Sequence, residues 1–108
     1  MRRDLPGAFE QLVLAALLRL GEDAYGMSVR QEIAERTGRD LAIGAVYATL
    51  DRFEDKGYAV SRTGAGTAER GGKAKRFYVL TAEGEQALRD SVQQLNRMVK
   101  GLKLGWNV

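Results

Sequence analysis

The sequence predicts a mainly α-helical fold of the α+β class, in which a small β-hairpin follows three helices and a longer helix closes the chain. Three observations support this prediction. Apolar residues recur at helical spacing in four segments, two short segments between residues 58 and 80 have the composition of strands, and glycines end the first three helices. The 108 residues suit one ordinary domain.

The first two helices are defined by their apolar spacing and by the glycines that follow them. From Pro6 to Leu20 the apolar residues follow the i, i+3, i+4, i+7 pattern of an amphipathic helix, with the proline in the first turn and Gly21 as the C-terminal cap. A second helix is predicted over Gly26 to Thr37 and closes at Gly38. Both helices therefore bury one face.

The third helix follows the second after a short turn. It is predicted over Ile43 to Lys56, with an inward stripe of Val46, Leu50 and Phe53, and it stops at Gly57. Two helices joined by a few residues fit a helix-turn-helix.

A strand pair and a final helix complete the chain. The strands are predicted over Tyr58 to Thr63 and Lys75 to Leu80, and the helix runs from its N-cap, Thr81, to about Lys103. A hairpin in this position is a wing, so the sequence predicts a winged helix-turn-helix DNA-binding domain over residues 1–80. Residues 81–108 are predicted to be a C-terminal dimerisation helix.

The composition excludes most hydrolytic triads and zinc mechanisms. Without cysteine the chain forms no disulfide or thiolate zinc site, and without histidine it lacks the commonest general base and transition-metal ligand. Asp51, Glu54 and Asp55 crowd one side of the third helix. The alternatives are a magnesium or acid–base site and a solvent-facing set of charges near Arg52 and Lys56, and we expect the nearby Arg62 to offset these acids. Gly71-Gly72 lacks the spacing of a phosphate-binding loop. We predict no enzyme activity and no cofactor.

The chain also gives no sign of a membrane segment. It has no run of 18 or more apolar residues, the minimum that predicts a transmembrane helix. Met1-Arg2-Arg3 and the apolar stretch Leu12 to Leu18 resemble a weak signal peptide, but Asp4 and Glu10 interrupt it and no small-residue cleavage site follows. We expect a cytoplasmic protein without membrane contact.

The outward face of the third helix suits the major groove of double-stranded DNA. Gly44 and Ala48 are small enough for the backbone to approach base edges, and an alanine contacts thymine methyl groups. Tyr47 and Arg52, on the flanks beside Ala45, reach phosphates or a guanine. The alternative is that the small residues simply fill exposed positions.

The hairpin carries the excess positive charge of the chain. Between residues 62 and 76 there are five basic residues and one acidic residue, whereas the whole chain has a net charge of +3. Phosphate contacts by such residues make binding salt-dependent. The alternative is a solvated loop that only aids solubility. The residues predicted to contact DNA from the hairpin are Arg70, Gly72, Lys73, Lys75 and Arg76.

Three stretches of the sequence resemble the PadR family of transcriptional regulators. They are Tyr25 to Ile33, Gly44 to Gly57, which follows the family pattern G-x-[VL]-Y-x-x-L-x-R-[LF]-E-x-x-G, and Arg70 to Gly84, which ends in Y-x-L-T-x-x-G. The resemblance implies a repressor or activator with an N-terminal winged helix and a C-terminal dimerisation helix, in the smaller subgroup. It also implies DNA contact by Gly44, Tyr47, Arg52 and the wing cations.

A heptad seam in the last helix independently predicts a homodimer. The alternative is packing of the seam against the chain's own first helix. Two recognition helices in a dimer would read an inverted repeat with half-sites roughly 34–36 Å apart. We expect the bound dimer to repress by blocking a promoter sterically. Trp106 extends the seam, and it either packs or stacks on an aromatic effector between the subunits. The seam residues are Leu88, Val92, Leu95, Val99 and Leu102.

Two other binding functions compete with DNA recognition. A winged helix used for protein–protein contact usually lacks a basic, glycine-rich wing, whereas this wing is the most basic segment of the chain. RNA binding is disfavoured because no exposed aromatic pair suited to base stacking is evident on the predicted strands.

Overall fold

The computed structural model describes residues 5–64 and 75–103, and within these ranges it confirms the mainly α-helical, α+β architecture. Three helices precede a two-stranded antiparallel sheet, and a fourth helix follows it. The elements are α1 (Ala8–Leu20), a 3₁₀ turn (Gly21–Asp23), α2 (Gly26–Thr37), α3 (Ile43–Lys56), β1 (Ala59–Thr63), β2 (Arg76–Leu80) and α4 (Ala82–Val99).

The ends of the helices follow from local backbone chemistry. Gly38 and Gly57 end α2 and α3 in the left-handed conformation, with φ of 78° and 80°, which glycine adopts without strain. The start of α1 differs from the prediction, because the helix begins two residues after Pro6. Gly7 is the N-cap, and its amide donates to the Glu10 carboxylate at 3.2 Å, which closes the first turn there.

The core lies where α1, α2 and α3 meet the sheet. The predicted inward stripe of α3 is fully buried, and so is Thr49, which the apolar pattern did not mark. Tyr78 brings β2 into the same core, and Leu88 of α4 packs against it. The buried core residues are Val13, Leu14, Ala16, Leu17, Ala24, Val29, Ile33, Leu41, Val46, Leu50, Phe53, Ala59 and Tyr78.

The hairpin is tied to the start of α2. Strands β1 and β2 pair from Ala59 opposite Leu80 to Thr63 opposite Arg76. On its other edge β2 meets the residues before α2, through a bridge between Tyr25 and Phe77 and a 2.8 Å hydrogen bond from the Tyr78 amide to the Ala24 carbonyl. The base of the hairpin therefore has a defined position relative to the helix-turn-helix.

Helix α4 packs on α1 through its N-terminal half and ends earlier than predicted. Ala87 and Ser91 are buried, and Ser91 is the last buried residue among those described. The helix stops at Val99 and not near Lys103, because Lys100 leaves the helical conformation and Gly101 has a φ of 86°. No helix in the described ranges has the length and apolarity to cross a membrane.

Candidate nucleic-acid interface

The N-terminal half of α3 presents an open surface of small residues. Gly44, Ala45 and Ala48 are exposed, and a Cβ added at Gly44 would meet no atom within 4 Å. Nothing in the described part of the chain covers this surface, so another molecule can reach the helix backbone closely. Sequence reasoning placed these residues outward, and the structure agrees with that placement.

Tyr47 borders this surface and lies on the backbone of α2. Its side chain is 42% exposed, and a Cβ at Gly26 would come within 2.3 Å of the tyrosine ring. The absence of a side chain at Gly26 therefore lets the ring rest on the first turn of α2. This contact joins the two helices at the edge of the α3 surface, and the helical spacing alone gave no signal of it.

Arg52 lies on the opposite flank of α3, where it faces α1. Its Nη2 atom donates to Thr49 Oγ1 at 3.1 Å and lies 3.6 Å from Glu10 Oε2. The side chain is 51% exposed, so the ion pair is open to solvent and weak. Arg52 thus links α1 to α3 as well as lying beside the exposed surface.

Of the basic residues predicted for the hairpin interface, the structure describes Lys75 and Arg76. Arg76 Nη2 donates to Glu54 Oε1 at 3.1 Å, and Lys75 Nζ lies 4.2 Å from the centre of the Tyr25 ring. Both cations are therefore held close to the helix-turn-helix. Arg70, Gly72 and Lys73, and likewise Trp106, lie outside the described residues.

The acidic residues of α3 have separate partners. Ser61 Oγ donates to Glu54 Oε2 at 2.5 Å, and this hydrogen bond, together with Arg76, holds the pKa of Glu54 below its ordinary value despite some desolvation. The same carboxylate raises the pKa of Arg76. Arg76 is therefore the cation that offsets Glu54, and not Arg62 as predicted.

Asp51 is engaged by the buried tyrosine of β2. The Tyr78 hydroxyl donates to Asp51 Oδ1 at 3.4 Å, and burial, with the aspartate charge adding to it, raises the pKa of Tyr78. The tyrosine therefore acts as a neutral donor. Among the residues described, no group of three or more acidic side chains is arranged to hold a metal ion.

Acidification is expected to weaken the fold through Glu54. Its pKa in the folded state lies below the ordinary 4.5, so the contact stabilises fully above that pH and is lost as the pH falls through the folded-state pKa. In urea unfolding measured between about pH 3 and 6, Glu54→Gln should show a flatter acid limb than the unmodified chain. Asp55→Asn is the control, because this exposed neighbour makes no ion pair within the described residues. Equal slopes for the unmodified chain and Glu54→Gln would contradict this assignment.

The predicted seam of α4 is divided between the core and solvent. Leu88 is half-buried against the chain's own core, as the alternative interpretation expected, whereas Val92 and Leu95 are 43% and 55% exposed. Met98, which the heptad pattern did not include, is 74% exposed. Val99 is half-buried at the end of the helix, and Leu102 lies exposed beyond it.

A helix-turn-helix whose second helix is exposed, followed by a two-stranded wing, defines a winged-helix protein. The model of the PadR-like family of transcriptional regulators matches residues 13–90. The chain belongs to this family, which is one of transcriptional regulators and not of enzymes. Among the curated proteins, none matches the chain.

Solved structures agree with this assignment. A PadR family transcriptional regulator from Eggerthella lenta is 27% identical, with a TM-score of 0.70, over 85% of this chain and 78% of that one. A PadR family regulator from Clostridium difficile is 29% identical, with a TM-score of 0.68, over 87% and 92%. F93 from STIV, described as a winged-helix DNA-binding protein, is 18% identical, with a TM-score of 0.66, over 84% and 90%, and shows the likeness of fold.

Proposed function

We propose that this protein is a sequence-specific, DNA-binding transcriptional repressor that acts as a homodimer on an inverted-repeat operator. One observation carries the proposal: the open, small-residue surface of α3 lies beside a hairpin segment, residues 62–76, whose five basic residues and one acidic residue give it the excess positive charge of the chain. Family membership supports a regulator, and F93 is a precedent for DNA binding by this fold.

In the proposed complex α3 enters the major groove. The groove is about 12 Å wide and admits an α-helix, and the small surface of Gly44, Ala45 and Ala48 lets the helix approach base edges. The alanine methyl groups would meet thymine methyls, which supplies sequence preference. Tyr47, at the edge of this surface, would offer its hydroxyl to a phosphate.

The basic residues would bind phosphates without giving up their present contacts. A guanidinium has five N–H donors, and the contacts of Arg52 and Arg76 described above engage only Nη2 of each. Their remaining donors are available, because each side chain is about half exposed. From the sequence, Arg70, Gly72 and Lys73 would extend this phosphate contact along the hairpin, next to Lys75.

The homodimer would form through the exposed part of α4. Beyond Ser91 the helix projects past the core of its own chain, and its apolar residues Val92, Leu95 and Met98 face solvent in a single copy. Covering these residues with a second copy would remove apolar area from water. Leu88, Val99 and Leu102 would complete the interface at its two ends, and the paired α3 helices would read half-sites roughly 34–36 Å apart.

A charge within this apolar surface is expected to dissociate the dimer. Leu95→Glu would bury an unpaired carboxylate in the interface, which costs several kcal/mol, so the dissociation constant should rise at least roughly 100-fold. Sedimentation equilibrium measures the change. Gln94→Glu is the matched control, because it adds the same charge at an exposed neighbouring position. A dimer that is equally stable in both variants would place the interface elsewhere.

The second candidate is a winged-helix module for protein–protein contact. It is favoured by the two exposed acidic residues on α3, Asp51 and Asp55, which repel phosphates, and by the intramolecular contacts of Arg52 and Arg76. This candidate predicts no preference for any DNA sequence.

A DNA titration distinguishes the two candidates. Binding to the promoter region upstream of the chain's own coding sequence is measured at two salt concentrations, against a sequence-scrambled competitor. The proposal expects tight binding that survives the competitor and weakens with salt, together with footprinting of two related half-sites. Equal, weak binding to both DNAs would reject specific recognition and favour the protein-contact module.

A further inference from the structure

Two aromatic rings at the base of the wing hold two of its cations. Tyr25, before α2, and Phe77, in β2, meet edge to face with their centres 5.5 Å apart. The Arg62 guanidinium lies 4.9 Å from the centre of the Phe77 ring, and Lys75 Nζ lies 4.2 Å from that of Tyr25. These distances are within the range of cation–π attraction, which extends to about 6 Å. We call Tyr25 and Phe77 the aromatic clamp.

The backbone around the clamp leaves little freedom to either ring. The bridge between Tyr25 and Phe77 joins their main chains, and Ser28 Oγ accepts a hydrogen bond from the Tyr25 amide at 2.9 Å. On the other side, Gly64 lies so close that an added Cβ would be 2.6 Å from the Phe77 ring. The Gly64 amide donates to the Lys75 carbonyl at 2.7 Å, which extends the strand pairing by one position beyond Thr63 and Arg76. The rings are therefore seated in a defined place between α2 and the wing.

We propose that Tyr25 is a positioning residue for DNA binding, which acts through Lys75. This inference rests on the proposed function. A free lysine side chain loses rotamer entropy when it is ordered, and the tyrosine ring supplies part of that ordering before DNA arrives. The ring covers one side of the ammonium group, which has three donors, so N–H groups remain for a phosphate. Neither Tyr25 nor its ring needs to touch DNA.

The charges around Lys75 also indicate that Tyr25 positions this lysine for DNA and does not keep it away from DNA. No carboxylate forms an ion pair with Lys75 in the described part of the chain, whereas Arg76 has Glu54. An aromatic ring holds a cation without neutralising it, so the field of Lys75 toward a phosphate is retained.

A double-mutant cycle tests the coupling between Tyr25 and Lys75. Specific operator affinity is measured as a function of salt for Tyr25→Leu, Tyr25→Phe, Lys75→Met and the Tyr25→Leu/Lys75→Met pair. Tyr25→Leu should weaken binding about five-fold, while Tyr25→Phe keeps the ring and retains affinity. Lys75→Met should lower the salt slope by about one phosphate contact. In the Lys75→Met background, Tyr25→Leu should cause little further loss of operator affinity.

Controls separate positioning from general stability. Tyr58→Leu removes a second half-buried tyrosine that lies under a lysine, Lys56 at 5.9 Å, and it should leave the salt slope unchanged. Thermal unfolding of each variant shows that binding was measured on folded protein. Unchanged or tighter binding by Tyr25→Leu, or an equal loss in both Lys75 backgrounds, overturns the positioning role. Absence of specific binding by the unmodified protein would instead reject the proposed function.

Discussion

Gly84→Ala is expected to destabilise the fold by about 2–3 kcal/mol, although alanine is the better helix former. Gly84 is buried in the first turn of α4, and a Cβ there would lie 2.2 Å from the Tyr58 carbonyl oxygen and 2.7 Å from Leu80 Cδ1. The nearest obstacle is backbone, which cannot rotate away as a side chain can. The helix must therefore move off the turn that joins α3 to β1.

That movement would also break the hydrogen bonds that anchor α4. Thr81 donates from its amide to the Tyr58 carbonyl at 2.9 Å and from its hydroxyl to the Gly57 carbonyl at 2.6 Å. The Tyr58 carbonyl oxygen, which accepts the first of these bonds, is also the atom nearest to the position that the new methyl group would occupy. Because each lost hydrogen bond costs roughly 1 kcal/mol, the clash and the lost anchoring act together.

Urea unfolding at a fixed protein concentration measures this loss, since stability depends on concentration if the chain dimerises. Gly44→Ala is the matched control: it is the same substitution near the start of another helix, where an added Cβ meets nothing within 4 Å. That control should lose no stability and gain up to about 1 kcal/mol. A Gly84→Ala protein as stable as the Gly44→Ala protein would show that α4 is not seated as described.

The elements of this fold were predictable because their signals are local. The bounds predicted for α2 and α3 agree with the structure, since glycine at positions 38 and 57 takes the left-handed conformation that ends a helix. The end of α4 was predicted too late, because heptad spacing continues to Leu102 in the sequence. A spacing pattern does not record that Gly101 turns the chain before that residue is reached.

The contacts that organise the candidate site were less predictable, because they join residues far apart in the chain. The outward face of α3 follows from periodicity, but Arg52 pairs with Glu10 and Arg76 pairs with Glu54 across different elements. The prediction that Arg62 offsets the acidic residues of α3 was wrong for the same reason. Arg62 lies near these acidic residues in the sequence, but in the structure its guanidinium stacks on the Phe77 ring.

Close approach of backbone was another feature without a sequence signal. The sequence identifies Gly26 only as the first residue of a helix. The structure shows that its missing side chain leaves room for the Tyr47 ring. The residues predicted to contact DNA were assigned from helical spacing, charge and family resemblance, and their role stays a prediction that binding experiments test.

Ala48→Glu is expected to abolish specific DNA binding while leaving the fold intact. Ala48 is exposed in the middle of the α3 surface, so glutamate there removes no packing and costs well under 1 kcal/mol of helix propensity. In the proposed complex the new carboxylate would face base edges and phosphates. Juxtaposed like charges cost several kcal/mol, so operator affinity should fall at least roughly 100-fold.

Two further variants separate the causes of that loss. Ala82→Glu adds the same charge at an exposed position in the first turn of α4, so it reports the effect of net charge alone and should cause only a small, salt-dependent change. Ala48→Gln has the length of glutamate without its charge, and an intermediate loss is expected because the side chain still fills the space of the close approach. Competition titrations, with circular dichroism as the check on folding, measure all three. Equal weakening by Ala48→Glu and Ala82→Glu would mean that only overall charge governs binding, and unaltered affinity of Ala48→Glu would show that α3 does not enter the groove by this face.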